Sequence, residues 1–280
     1  MKIRGHILLA AFAVFLMAIT GAFIGCGDDE TVNPPVVTPP DLPPQSTFVM
    51  DFDDFTQYVL WSSNAGDNTE ALTKQNWGQS AVRVAFWNIA LTVTLAVPVA
   101  AFVEAFQHDP MQLEDGSWQW TYSVTVGVEH TCRLVGNVEE NEVSWSMYLS
   151  KEGEFTDYLW YSGTHNLPAT EGEWTVNRGH DQANPFLGIE WHRNVSTATG
   201  DLKYTNIIPG DAENGGYIYY GSTTDTDYDR FYNIYNKGQD NLAEIEWNFT
   251  DKNGHVKDEN FYGDTDWHCW DTNLDDVDCP

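Results

Sequence analysis

The sequence predicts a mainly β fold, an antiparallel meander curled into an open or closed barrel around one long apolar helix at about residues 81–106. Three observations carry this. From Ser117 onward, apolar and polar side chains alternate by twos. Turn-forming residues interrupt the alternation at hairpin spacing. One stretch between Arg83 and Glu104 is almost wholly apolar, interrupted chiefly by Asn88, Thr92 and Thr94. A sheet with one apolar face needs a cover, and a helix that is apolar all round needs a wrapper, so each supplies what the other lacks.

Taken in order, Phe48, Met50 and Phe52 alternate and predict a strand over 46–62, and 67–77 reads as a loop with a short helical turn. The apolar stretch admits three readings. Its length matches a bilayer span of ~20 residues. Ile89, Leu91, Val93, Leu95, Val97 and Val99 alternate as a strand would, but a single strand rarely runs so far. A buried helix, kinked where Pro98 removes a backbone bond, fits best. Beyond it, Trp118, Trp120, Tyr122, Val124 and Val126 share one face, as do Val143, Trp145, Met147 and Leu149, and later Ala243, Ile245, Trp247 and Phe249. That is the period of strands with one buried and one wet face. Gly136-Asn137, Glu152-Gly153, Asn214-Gly215-Gly216, Lys237-Gly238 and Lys252-Asn253-Gly254 mark turns, the last as a tight hairpin. About ten or eleven strands fit between the turns.

The chain carries 13 Lys+Arg against 42 Asp+Glu, a formal charge of −29. Such a surface repels nucleic acid and anionic headgroups, and it suits an exported protein or one that attracts divalent cations. The many Trp and Tyr argue against disorder.

The N-terminus carries an address. Lys2 and Arg4 precede an apolar run that ends in Phe23-Ile24-Gly25-Cys26, the pattern of a secretion signal. A cysteine directly after the small Gly25 resembles the signal of bacterial lipoproteins, although Phe23 stands where that family prefers Leu. The resemblance implies cleavage of 1–25, lipidation of Cys26 and a firm membrane anchor of two or three acyl chains. It makes a second anchor at 81–106 redundant. Gly27-Asp28-Asp29-Glu30 resembles the acidic cluster that sends such lipoproteins to the outer face of the outer membrane in Bacteroidota-type bacteria. The expected location is therefore the bacterial cell envelope, with the lipid anchor in the outer membrane and the domain at the surface. Six prolines within 31–45 make 26–45 an extended stalk, which leaves 46–280 as a single β-rich domain.

Three further cysteines remain in a compartment that permits disulfides. Cys269 and Cys279 enclose a short loop and form the natural pair, with Cys132 as a buried thiol; the rival pairing is Cys132–Cys269. Asp271, Asn273 and Asp275 stand at the alternate spacing that opens a calcium loop, but Asp276 occupies the position where such a loop needs Gly. Asp225, Asp227 and Asp229 have similar spacing in a turn. Ca2+ is thus the one cofactor the sequence suggests. The histidines show no zinc spacing, and there is no nucleophile elbow, phosphate loop or dinucleotide fingerprint. Tyr158, Trp160 and Tyr161 cannot all face one side of a strand, nor can Tyr217, Tyr219 and Tyr220. Some must therefore face outward, where aromatic faces stack on sugars.

These readings favour a non-catalytic binding or structural module, partnered by the membrane through its lipid and by a glycan or an apolar small molecule. A carrier of an apolar ligand in a barrel cavity is the second class. A hydrolase whose carboxylate pair the sequence does not single out is the third.

Overall fold

Each of fourteen strands pairs antiparallel with its neighbours in sequence, giving one up-and-down sheet. The computed structural model describes residues 38–55 and 73–280. The strands are β1 (Met111–Gln112), β2 (Trp118–Val126), β3 (Val128–Val138), β4 (Glu142–Lys151), β5 (Phe155–Asn166), β6 (Glu171–Gly179) and β7 (Gln182–Asn194). They continue as β8 (Thr199–Asn206), β9 (Tyr217–Ser222), β10 (Arg230–Asn236), β11 (Asn241–Trp247), β12 (Gly254–Asp258), β13 (His268–Trp270) and β14 (Asp276–Val277). Among the described residues β1 pairs only with β2 and β14 only with β13, so the sheet is not closed and has two free edges. The closed form of the expected barrel is thereby corrected. The β11–β12 connection is also longer than the tight hairpin expected at Lys252-Asn253-Gly254. It runs from Asn248 to Asn253, and the Asn248 side chain accepts the Thr250 and Asp251 N–H groups.

The alternation places Trp120, Tyr122, Leu134, Trp145, Met147, Leu149, Ile245 and Trp247 in one buried cluster, here called the inner face. Room for so many indoles comes from glycine. Trp145 lies opposite Gly136 and Gly163, Trp174 opposite Gly163, and Trp191 opposite Gly172. A Cβ built on Gly136 would stand 2.7 Å from the Trp145 ring, and one on Gly172 would stand 2.7 Å from Trp191. Each indole lies flat over the bare backbone of the neighbouring strand, a close approach that only glycine permits.

Two helices and one strap cover the inner face. The strap is the segment expected to be a strand. Its described part, 46–55, joins no sheet and carries only short 3-10 turns at Gln45–Thr47 and Asp53–Phe55. Alternation by twos bears on side chains and leaves the fate of the backbone bonds open. Here the sheet's tyrosines satisfy part of the backbone. The Tyr204 hydroxyl donates to the Phe48 carbonyl at 2.8 Å and accepts the Met50 N–H at 3.0 Å. The Tyr232 hydroxyl donates to the Asp51 carbonyl. Leu42 already packs against the core, so this end of the Pro-rich stretch is docked on the domain. The expected signal at 1–25, the acyl site Cys26 and its acidic cluster lie outside the described residues, as do 26–37, 56–62 and 67–72.

The long apolar helix is two helices, α1 (Gln75–Thr94) and α2 (Ala96–Ala105), bent by 70°. The break falls at Leu95, ahead of Pro98. Proline lacks the N–H that would bond the Thr94 carbonyl four residues back, and its ring crowds that carbonyl. Neither helix alone is long and apolar enough to cross a membrane. The expectation of burial on all sides also fails. Val84, Leu91, Leu95, Ala101, Phe102 and Ala105 are buried, but Phe86, Ile89 and Val93 are 71%, 62% and 75% exposed.

α1 is tied down at its start. Its N-cap residue, Lys74, makes no capping bond. Instead the Asp276 carboxylate accepts the Gln75 N–H at 3.0 Å and the Asn76 N–H at 2.9 Å. Asn76 Nδ2 donates to the Cys269 carbonyl, and Arg83 pairs with the buried Asp258 at 2.6 Å. After Val84, Leu91 is the one fully buried side chain in the rest of α1.

Candidate functional site

The second half of α1 passes over the inner face without filling the space beneath it. The cavity there measures about 570 Å³. The α1 side is Val82, Phe86, Trp87, Ala90, Leu91 and Thr94, and the sheet side includes Phe186, Leu187, Ile234 and Ala243. Tyr235 also lines the sheet side, and beside these larger side chains the small Ala243 and Gly216 leave space. Polar lining comes from Arg83, Arg178, Asn206, Glu213, Asn236 and Asn241. Most of these are committed elsewhere. Arg83 and Asn241 both bond Asp258, and Glu213 accepts the Gly238 N–H.

A second cavity, about 580 Å³, lies on the other flank of α1, between Leu91, Leu95 and the strap at Val49–Asp53, with Tyr204 behind it. Leu91 borders both spaces. A third, about 530 Å³, sits between the strap and β7–β9, with Trp191, Arg193, Asp201 and Tyr220 in its wall.

Cross-strand register decides where the sequence-predicted residues lie. Tyr161 opposite Met147 is fully buried. A bulge leaves Trp160 unpaired and brings Tyr158 opposite the buried Leu149. The extra residue shifts the alternation, so Tyr158 and Trp160 join Phe155 and His130 in an aromatic cluster instead of facing away. Tyr220 opposite Leu202 and Tyr232 also belongs to the inner side. Tyr217 and Tyr219 face outward. Tyr217 packs beside Tyr235 with Lys203 Nζ 4.8 Å above its ring, and Tyr219 meets Phe231 edge to face at 5.1 Å. Burial and the nearby Asp201 push the Tyr219 hydroxyl up to about 12.

A disulfide joins Cys269 and Cys279, and Cys132 is a buried thiol whose pKa burial raises to about 12. Within that loop the Asp271 carboxylate accepts the Asn273 N–H at 2.8 Å and the Asp275 N–H at 3.0 Å. Those backbone bonds hold it below the usual carboxylate range. The three residues thus form an Asx turn. Among the described residues no three His, Cys, Asp or Glu side chains gather as a metal site.

Sequence reasoning missed the α1 cavity and a row of buried polar atoms. Trp145 Nε1, Trp174 Nε1, Trp191 Nε1, the Tyr161 hydroxyl and His165 Nε2 have no hydrogen-bond partner among the described residues. His165 stands between the Trp145 and Trp191 rings at 6.0 and 6.3 Å. Its Nδ1 bonds the Asn166 carbonyl, and burial pushes its pKa down. The glycines at 136, 163 and 172 were the available signal, since they fix where the indoles lie; Gly136-Asn137, expected as a turn, lies inside β3 because the glycine there makes room for Trp145.

No protein-family model, no curated protein and no solved structure matches the chain.

Proposed function

We propose that the chain is a lipid-anchored envelope lipoprotein whose β-rich domain is a non-catalytic binding module for an apolar ligand. In this reading Cys26 carries the anchor, and the meander curls as an open barrel around the bent α1–α2 pair. The ligand lies in the cavity under α1. The observation that carries the proposal is that cavity. Its volume of about 570 Å³ falls within the roughly 300–1,000 Å³ of small-molecule sites, its walls are mostly apolar, and one wall is a helix held firmly only at its start. The exposed Phe86, beside the cavity, supplies a hydrophobic approach.

The test uses the full chain carrying Cys26→Ser, which needs no detergent for an acyl group, and the neutral dye N-phenyl-1-naphthylamine. Enhanced dye fluorescence is expected, and Ala243→Phe, which projects a ring into the cavity, should abolish it. Ala90→Trp fills the same space from the helix side and covers the case in which Ala243→Phe fails to fold. Undiminished dye binding in a folded filling variant would rule the cavity out.

A second reading has one observation in its favour. Tyr217, Tyr219, Phe231 and Tyr235 form an outward-facing aromatic patch, the kind of surface that stacks on sugar rings. Glycan-array binding lost in Tyr219→Ala would support it, and an array without any hit would remove it.

A further inference from the structure

Resting on the apolar-cavity reading, we propose that the ligand is an acidic amphiphile, an alkyl chain ending in a carboxylate, with its headgroup on Arg178. In a chain with 42 acidic residues against 13 basic ones, an arginine readily finds a carboxylate. Three of the five described arginines do so. Arg83 pairs with Asp258 at 2.6 Å, Arg133 with Asp157 at 3.1 Å and Arg230 with Asp229 at 3.1 Å. Among the described residues the other two, Arg178 and Arg193, have no carboxylate partner; Arg193 lies in the wall of the third cavity, beside the strap. The exposed Arg178 makes one side-chain bond, from Nη1 to the neutral Gln182 Oε1 at 3.3 Å, and it is the one of the two that lines the α1 cavity.

An apolar cavity with an uncommitted guanidinium in its wall is built for a ligand of two characters. The guanidinium presents planar N–H donors that match a carboxylate in a bidentate fork. The other cation of the cavity, Arg83, is neutralised by Asp258, and Glu213 spends one oxygen on the Gly238 N–H. Within the α1 cavity, Arg178 is therefore the position where an anion gains most. The strongly negative surface elsewhere disfavours anions, so this local charge sets where the headgroup goes. The tail has matching room. From Val82 to Thr94, α1 runs about 18 Å at ~1.5 Å per residue, comparable with a long alkyl chain.

The probes are tetradecanoate, tetradecan-1-ol and tetradecyltrimethylammonium, each below its aggregation concentration. Isothermal titration calorimetry is done on the full chain carrying Cys26→Ser. Tetradecanoate is expected to bind roughly tenfold tighter than the alcohol, with the ammonium weakest. Arg178→Gln should bring tetradecanoate down to the affinity of the alcohol and leave the alcohol unchanged. Arg133→Gln removes the same charge away from the cavity and should leave the preference intact. Equal binding of acid and alcohol, or a preference that survives Arg178→Gln or disappears in Arg133→Gln, would overturn the headgroup assignment while the cavity stands. Binding of none of the three would overturn the cavity reading together with it.

Discussion

Replacing Asp276 by alanine tests how α1 is held. Asp276 lies about 200 positions from the helix it caps, yet its two oxygens take the N–H groups of Gln75 and Asn76. Helix starts leave such N–H groups without intrahelical partners, and Lys74 offers no capping side chain. Losing a capping carboxylate costs about 0.5–2 kcal/mol, and losing a negative charge at a helix start costs about 0.3–1 kcal/mol more. The site is only partly buried, so water takes up some of the loss, and about 2 kcal/mol is the working figure. In a domain of this size that lowers the melting temperature by roughly 4–8 °C. Asp276→Asn keeps an acceptor but loses the charge and should fall between. The exposed Asp278→Ala should stay within ~0.5 kcal/mol of the parent. Thermal melts give the energies. Amide hydrogen exchange gives the location, with faster exchange at Gln75 and Asn76 in the alanine variant. An Asp276→Ala protein that melts with Asp278→Ala and keeps the α1 amides protected would refute the capping argument.

Three other outcomes are expected. Gly163→Ala should cost roughly 2 kcal/mol by overpacking, since its Cβ would collide with the Glu173 carbonyl and the Trp174 ring, whereas Gly188→Ala meets only ordinary contacts from 3.5 Å and should be nearly neutral; equal melts would show that the indole–glycine packing is not tight. Burial holds the His130 and His165 imidazoles below the ordinary 6.5, so the unfolded chain takes up their protons first. Stability should fall as pH drops through about 6.5 and continue to fall down to the folded-state values; His165→Phe should flatten part of that slope in melts between about pH 7.5 and pH 5, and an unchanged slope would remove His165 as a contributor. Cys26→Ser should leave the chain in the soluble fraction of lysed cells, and full membrane retention would place the anchor elsewhere.

The sheet was legible because its side chains carry the signal themselves. Trp120, Trp145 and Trp247 were read as inner-face residues from alternation and are buried. The same alternation misled at Phe48–Met50–Phe52, because a strap bonded by tyrosine hydroxyls buries every second residue as a strand does. At Tyr158–Trp160–Tyr161 a bulge broke the count, and nothing local in the sequence marks it. In the 81–106 stretch, apolar composition predicted helices but not which faces lie against protein. Phe86, Ile89 and Val93 read like Val84 and Leu91, and only the path of α1 over the sheet separates them. The cavity and the role of Asp276 depend on contacts between residues far apart in the chain, which periodicity cannot report.

The two free edges of the sheet bear on how copies of the chain meet. An open sheet offers unpaired N–H and C=O groups to any neighbouring copy, which could then pair edge to edge. The end strands are only two residues long, Met111–Gln112 and Asp276–Val277. Pro110 stands directly before one, and Asp275 and Asp278 flank the other. These short end strands are poor templates for a ladder, although β1 covers only Trp118 and Gln119 of β2. Replacing Pro110 would remove the residue that limits β1 at its start and so should lengthen the edge open to pairing.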